Sequence, residues 1–130
     1  MKDILVPVSP GELLDKITIL RIKSARITEA LKLANVRIEL AALEQVWQDS
    51  GAAAACPQVD EVCLQGVNEA LWEIEDLIRD REAAQQFDAR FVALARSVYT
   101  TNDERAAIKK RINIALGSRI IEEKAYKPYR

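Results

Sequence analysis

Apolar residues recur every three or four positions along most of this chain, which is the spacing of one face of an α-helix. The helices that this pattern predicts span residues 10–27, 29–49, 58–83, 89–99 and 103–116. Helices joined by short connections pack most simply as antiparallel neighbours. The sequence therefore predicts an all-α fold, an up-and-down antiparallel helical bundle of four to five helices that forms a single domain over residues 1–130.

The apolar positions also predict which residues form the core. They are Leu13, Leu14, Ile17, Leu20, Leu33, Val36, Leu40, Leu43, Trp47, Cys63, Val67, Ala70, Ile74, Leu77, Phe91, Leu94, Ala95, Val98, Ile108, Ile112 and Ala115. On the third predicted helix these positions alternate four and three residues apart, like the seam of a bundle. We therefore expect this seam to face the other helices.

The clearest boundaries lie at the two ends of the helical region. Ser9 is a good N-cap, Pro10 suits the first helical position, and Glu12 is placed to complete a capping box with the Ser9 amide. Gly117 is a natural stop for the last helix. Outside these points the sequence predicts a short extended N-terminal arm over residues 3–8 and an irregular C-terminal tail.

The sequence marks three breaks between the predicted helices with different clarity. Residues 50–57 contain Gly51 and Pro57, which predict a loop. Residues 100–103 are all good capping residues, and they predict an interruption before the last helix. Nothing in residues 27–31 forbids a helix, so the sequence leaves open whether residues 10–49 form one helix or two.

The composition excludes several classes of function. A net charge of −1 provides no field that would steer the chain to nucleic acid. The chain has no histidine, which excludes Ser-His-Asp and Cys-His catalysis and histidine zinc sites. Cys56 and Cys63 lie seven residues apart, and this spacing matches no zinc motif. The sequence therefore predicts no catalytic residue, no metal, no cofactor and no nucleic-acid partner.

The N-terminal residues and the length of the apolar runs bear on location. Every apolar run is shorter than the roughly 20 residues that a membrane-spanning helix needs. The first residues include Asp3 and Pro7, which do not suit a signal peptide. We therefore expect no membrane span and a cytoplasmic location.

A row of carboxylates lies along one face of the third predicted helix. Glu69, Glu73, Asp76 and Asp80 are spaced four, three and four residues apart. They fall within about 60° of one another on the helix surface. Like charges at this spacing repel one another. We therefore expect cations from a neighbouring helix, or a metal, to compensate them.

A second polar row lies on the last predicted helix, where Arg105, Lys109 and Asn113 follow one another at intervals of four. Because both rows border the core face of their helix, we expect them to meet across a groove as a polar seam. Two interpretations stay open, a structural ion-pair network and a cleft for an anionic small molecule. Tyr99 is the candidate platform for a sugar or base, and Asn102 a candidate hydrogen-bonding group beside it. Lys124 and Lys127 make this end of the chain locally basic.

Two pairs of carboxylates provide an alternative based on Mg²⁺. Glu12 with Asp15, and Glu73 with Asp76, lie three residues apart, and such pairs can share one ion. Helical Mg²⁺-dependent nucleotide pyrophosphohydrolases use a pair of this kind together with an E-E-x-x-E helix, which is absent from the predicted helices. Glu12 also has a competing role as a capping residue. For Asp15, exposure to solvent and closure of the polar seam from the other side both stay open.

Four segments carry a resemblance to a known family, namely Val8–Leu20, Leu71–Arg79, Leu94–Arg105 and Ile112–Tyr126. In this order they resemble a family of small bacterial proteins filed as a domain of unknown function, and they cover nearly the whole chain. Members of that family often occur near, or fused to, glycosyltransferases and surface-polysaccharide enzymes. The resemblance implies a place in cell-envelope sugar metabolism, but no established activity and no site residue.

These observations favour a cytosolic helical accessory or binding protein over an enzyme. The expected partners are an anionic small molecule, such as a phosphosugar or nucleotide-sugar, or a glycosyltransferase, and a homodimer is left open. One alternative is a Mg²⁺-dependent hydrolase of nucleotides or sugar phosphates. The other is a structural protein that docks onto a glycosyltransferase through an exposed apolar strip.

Overall fold

The computed structural model describes residues 1–130, and its regular structure is entirely helical. The helices are α1 (Pro10–Arg26), α2 (Ala30–Asp49), α3 (Ala52–Ala55), α4 (Gln58–Ala83) and α5 (Ala89–Ala115). The predicted all-α bundle is therefore confirmed. The arm before α1 and the tail after α5 form no helix.

The hydrophobic core forms where α1 packs against α2, α4 and α5. The buried residues of its main cluster are Leu13, Leu14, Ile17, Trp47, Leu64, Ile108 and Ile112. Trp47, near the end of α2, shares this cluster with Leu13 and Leu14 at the start of α1, so these two helices run antiparallel. α1 is therefore the central helix, and it contributes three of the seven core residues.

The predicted boundaries of α1 are confirmed, with one correction. The Ser9 Oγ accepts a 3.2 Å hydrogen bond from the Glu12 amide, and Pro10 begins the helix. The Glu12 carboxylate does not complete the capping box, because it accepts instead from Lys109 on α5. Ile27 adopts an extended conformation (φ −75°, ψ 129°) that ends α1, so residues 10–49 form two helices.

The predicted interruption at residues 100–103 is wrong, because α5 continues through it without a break. The polar side chains that favour caps are satisfied within the helix. The Thr100 hydroxyl donates to the Ser97 carbonyl at 3.2 Å, and the Asn102 side chain accepts from Arg105 at 3.3 Å. Leu94 before this segment and Ile108 after it are both buried on the same helix, so packing favours one long helix over two.

The end of α5 shows how the sequence sets a boundary. Gly117 has a φ of +66°, a conformation that is strained for residues with a side chain. The Gly117 amide donates to the Ile114 carbonyl, and the Ser118 amide donates to the Asn113 carbonyl at 2.9 Å. This is a Schellman motif, and it confirms Gly117 as the stop signal.

The predicted loop over residues 50–57 is only partly a loop, because α3 forms one helical turn within it.

The inward face of α4 differs from the predicted seam. Cys63 and Ala70 are exposed, and so is Leu77, whereas Leu64 is fully buried. α4 carries apolar residues on two sides, so their spacing alone does not determine which side packs. Two polar residues of α4, Asp60 and Asn68, are buried on the same side as Leu64. Ala95 and Ala115 on α5 are likewise exposed, contrary to the prediction.

Candidate functional site

A buried carboxylate lies at the centre of the polar interior. Asp15 projects from α1, is 1% exposed, and accepts from Arg105 of α5 through both of its oxygens. The Arg105 Nε lies 2.8 Å from the Asp15 Oδ1, and an Arg105 Nη atom binds the Oδ2. Such a two-point pair between arginine and a carboxylate is strong and fixes the orientation of both groups. Asp15 therefore closes the polar seam and does not face solvent.

A residue of α4, Asn68, also donates a hydrogen bond to the Asp15 carboxylate. The Asn68 Nδ2 donates to the Asp15 Oδ1 at 3.0 Å and to the Thr18 Oγ1 at 2.9 Å. The Thr18 hydroxyl in turn donates to the Asp15 carbonyl at 2.8 Å. Three helices thus meet at one carboxylate, and every polar group of this cluster has a partner, as a buried network requires.

The protonation of Asp15 follows from these contacts. Burial alone would raise the pKa of this carboxyl group, but the hydrogen bonds from Arg105 and Asn68 and the charges of Arg105 and Lys109 oppose that effect and lower the pKa below its ordinary value of 3.8. The hydrogen bonds that Arg105 donates to Asp15 raise the pKa of Arg105 in return. Both groups are therefore charged at neutral pH.

Lys109 forms a second layer of contacts, one helical turn beyond Arg105. Its ammonium group lies 2.7 Å from a Glu12 oxygen and 3.4 Å from a Glu122 oxygen. The other Glu122 oxygen accepts from Lys124 at 2.6 Å. Hydrogen bonding from Lys124, together with the charge of Lys109, lowers the pKa of Glu122. Glu122 therefore links the C-terminal tail to α5 through two lysines.

The approach of α1 to α5 depends on a glycine. The Gly11 amide donates to the Asn113 Oδ1 at 2.7 Å. A Cβ atom at position 11 would lie 2.5 Å from the Lys109 carbonyl oxygen and 2.8 Å from the Asn113 Oδ1. No real Cβ contact is that short, so the two helices reach this distance only because residue 11 is glycine. This packing places Glu12 and Asp15 of α1 beside Lys109 and Arg105.

The tail runs back along α5 and encloses a groove of about 490 Å³, which we call the tail groove. It is lined by Val98, Tyr99, Asn102, Asp103, Arg105, Ala106, Lys109, Lys124, Tyr126, Lys127 and Tyr129. The Tyr129 hydroxyl donates to Asp103 at 2.6 Å, and its ring packs edge-on against Tyr99 with centroids 4.9 Å apart. These contacts, together with those of Glu122, hold the tail against α5.

Four of the nine predicted site residues therefore lie together, since Tyr99, Asn102, Arg105 and Lys109 all line the tail groove. Asn113 is buried below them and positions Gly11.

The site residues predicted from the sequence do not include Thr18 and Asn68 of the Asp15 cluster, nor Tyr126 and Tyr129, two tail residues of the groove. Thr18 lies one turn from Asp15 on a face that also holds Gly11, and this run of small and polar residues in an apolar helix is a usable signal of close packing.

The acidic row of α4 does not pair with Arg105 and Lys109 of α5. The predicted meeting of these two rows in a polar seam is therefore wrong. Glu69, Glu73, Asp76 and Asp80 are all exposed. Glu73 pairs with Arg26 of α1, and Glu69 accepts from Gln65 at 3.2 Å. Asp76 comes nearest to the seam, because it lines a second groove of about 460 Å³ that also contains Arg105. Arg105 pairs with α1 instead, because Asp15 is buried beside it, whereas an exposed carboxylate gains little from pairing.

Two further observations concern metal and membrane. The carboxylates and cysteines form no group of three or more that could hold a metal ion. No helix combines the length and the apolar character that crossing a bilayer requires.

Comparison with known proteins identifies one match, to a family model. No curated protein and no solved structure matches this chain. A family model described as a family of unknown function, DUF6165, matches residues 4–129, from the N-terminal arm through α5 to Tyr129 in the tail groove. The chain therefore belongs to the family of unknown function DUF6165.

Proposed function

We propose that the tail groove binds a small anionic molecule that carries a ring, with phosphosugars and nucleotide-sugars as the ligand class. The observation that supports this proposal is the convergence of four cationic side chains and three tyrosines around one groove. The cations are Arg105, Lys109, Lys124 and Lys127, and the tyrosines are Tyr99, Tyr126 and Tyr129. The volume of about 490 Å³ lies within the usual range of roughly 300–1,000 Å³ for small-molecule sites.

The cations of the groove suit a phosphate group. Lysine ammonium and arginine guanidinium groups donate charge-assisted hydrogen bonds to phosphate oxygens. Two of these cations are already bridged by an anion, because Glu122 accepts from both Lys109 and Lys124. A phosphate can take the place of this carboxylate, so its binding exchanges one anion for another. Arg105 stays fixed by Asp15 beneath the groove.

The tyrosines suit the ring. Tyr99 is 43% exposed and Tyr126 is 75% exposed, so both can contact a ligand. Sugar and base rings pack on aromatic faces, and the phenol hydroxyl groups can bond to sugar hydroxyl groups. Asn102 adds an amide on the same wall.

The cellular role is part of the same proposal. A site for phosphosugars agrees with the surface-polysaccharide neighbourhood that the family resemblance implies. A protein that holds such a ligand without transforming it would act as an accessory protein for an enzyme that uses it, for example a glycosyltransferase.

Isothermal titration calorimetry tests the proposal with three probes: inorganic phosphate, glucose 1-phosphate and UDP-glucose. We expect the two sugar phosphates to bind more tightly than inorganic phosphate, because only they also contact the tyrosines. Lys127→Ala should weaken binding by roughly tenfold, the usual loss for one hydrogen bond to a charged group. Arg90→Ala removes an exposed charge near the start of α5 and should change nothing. If none of the probes binds, or if both variants lose affinity equally, the tail groove is not the site.

A further inference from the structure

One face of α2 is mainly apolar and exposed. Its apolar stripe consists of Leu31, Ala34, Ile38, Ala42 and Val46, which lie within about 120° of one another on the helix surface, an arc that also holds Asn35, Gln45 and Asp49. Leu31 is 78% exposed, Ile38 71% and Val46 53%. We call these five residues the α2 stripe.

The opposite face of α2 already packs on α1. Trp47 is buried in the core, and Leu40 and Leu43 pack against the same cluster. α2 is thus apolar on two opposite sides, which is the pattern of a helix that is buried between two layers. Within this chain, only one of those layers is present.

The solvent-accessible surface of this chain is larger than that of a typical folded monomer of its mass. The chain exposes 8942 Å². A folded monomer of 14.6 kDa exposes about 6,900 Å². The excess is larger than the roughly 800 Å² that each partner buries in a stable protein–protein interface. Part of this excess belongs to the extended arm, where Ile4, Leu5 and Val6 are exposed, and the α2 stripe is a part of it that lies on a regular helix.

The charges beside the stripe indicate what covers it. The first half of α2 carries Lys32, which pairs with Glu29 at 3.3 Å, and Arg37, whereas the second half carries Glu39 and Asp49. Glu44 lies on the other side of α2 and pairs with Arg21 of α1. In an antiparallel pair of α2 helices, the positive half of one faces the negative half of the other. A parallel pair would place like charges together. The helix is thus complementary to a reversed copy of itself, as a two-fold symmetric contact requires.

We propose that a second copy of this chain covers the α2 stripe, with the two α2 helices antiparallel across a two-fold axis. The main contacts of α2 within the chain are with α1 and α3, and the tail groove is lined only by residues of α5 and the tail, so the groove stays open in the dimer.

Analytical ultracentrifugation of the full chain over a range of concentrations tests this proposal. Wild type should sediment as a dimer, and Ile38→Glu should sediment as a monomer with an unchanged helical circular dichroism spectrum. Val92→Glu is the matched control, because Val92 is a similarly exposed residue (51%) on α5, and it should remain a dimer. A monomeric wild type would overturn the proposal, as would equal dissociation by both variants. If Ile38→Glu unfolds, Ala34→Glu on the same stripe replaces it.

The orientation is tested separately. The double variant Lys32→Glu/Arg37→Glu reverses the charge of the first half of α2. In the antiparallel dimer this change weakens association at low salt, and the weakening fades as salt screens the charges. An unchanged dissociation constant at low salt would overturn the antiparallel arrangement.

Discussion

At the scale of single residues, the polar interior depends on Asp15. Its carboxylate receives hydrogen bonds from α4 and α5 while it is almost completely buried. A buried charge of this kind is costly unless every partner is in place. The Asp15–Arg105 pair is therefore expected to be strongly coupled, unlike the exposed pairs at the surface of the bundle.

A double-mutant cycle measures this coupling. Asp15→Ala should lower the free energy of unfolding by about 3 kcal/mol, because it leaves Arg105 and Asn68 without their acceptor. Adding Arg105→Ala should cost less than the sum of the two single changes. Glu75→Ala, which breaks the exposed pair with Arg79, should cost less than about 1 kcal/mol. Urea unfolding gives all of these values, and strictly additive losses would contradict the coupling.

The pKa of Asp15 predicts how stability depends on pH. Because the folded-state pKa lies below the ordinary value of 3.8, the unfolded chain binds the proton more readily. The contribution of Asp15 to stability is thus fully present above that value and is lost as the pH falls through the lower, folded-state pKa. In urea unfolding from pH 6 downward, wild type should lose its advantage over Asp15→Asn only in this acidic range. A constant difference between the two proteins across the range would show that the pKa is not lowered.

The residues of the seam also show what a sequence can predict at this scale. Arg105, Lys109 and Asn113 were identified because they lie on one face at intervals of four. The sequence predicts partners on α4, because a row that borders a core stripe does not reveal which neighbouring helix it meets. The true partners, Glu12 and Asp15, lie on α1, and only the close approach at Gly11 brings them within reach. That distance is a property of three-dimensional packing and not of residue spacing.

At the scale of helices, local signals determine most boundaries. Ser9 marks the start of α1 and Gly117 the end of α5, as predicted, and the Asp88 side chain caps the start of α5. The continuity of α5 was not predictable from Thr100 and Asn102, because the same side chains that cap a helix can also bond within it. The spacing also does not predict the inward face of α4, because the apolar residues on its two sides have the same periodicity.

Two glycine substitutions test the packing of helices. Gly11→Ala should destabilise the fold by roughly 2–3 kcal/mol, because its Cβ would meet the Lys109 carbonyl and force α1 and α5 apart. Gly66→Ala is the control, since a Cβ at that position of α4 meets nothing within 4 Å. It should raise the free energy of unfolding by about 0.5–1 kcal/mol through helix propensity. Thermal and urea unfolding compare the two, and a harmless Gly11→Ala would contradict the close approach.

At the scale of the whole molecule, the tail forms one wall of the tail groove. It contributes Lys124, Tyr126, Lys127 and Tyr129 to the tail groove, so the groove exists only when the tail lies along α5. The sequence predicted an irregular tail but could not place it, because its position depends on contacts such as Glu122 with Lys109 and Tyr129 with Asp103.

Glu122 should compete with the ligand for the two lysines that it bridges. Glu122→Gln removes this competing charge, so we expect it to raise the affinity for glucose 1-phosphate about threefold to tenfold, and more strongly at low salt. Glu123→Gln is the matched control, because its carboxylate pairs with Lys110, which does not line the tail groove. Calorimetric titrations of both variants give the comparison. A loss of affinity in Glu122→Gln would mean that Glu122 helps to form the site.

An NMR titration tests whether the tail groove is the ligand site. Backbone amide spectra of the chain are recorded while UDP-glucose is added. We expect shift changes that saturate and are concentrated in residues 98–109 of α5 and residues 122–130 of the tail, with α2 unaffected. An absence of shifts, or saturating shifts concentrated on α2 or on the exposed face of α4, would show that the ligand site is not the tail groove.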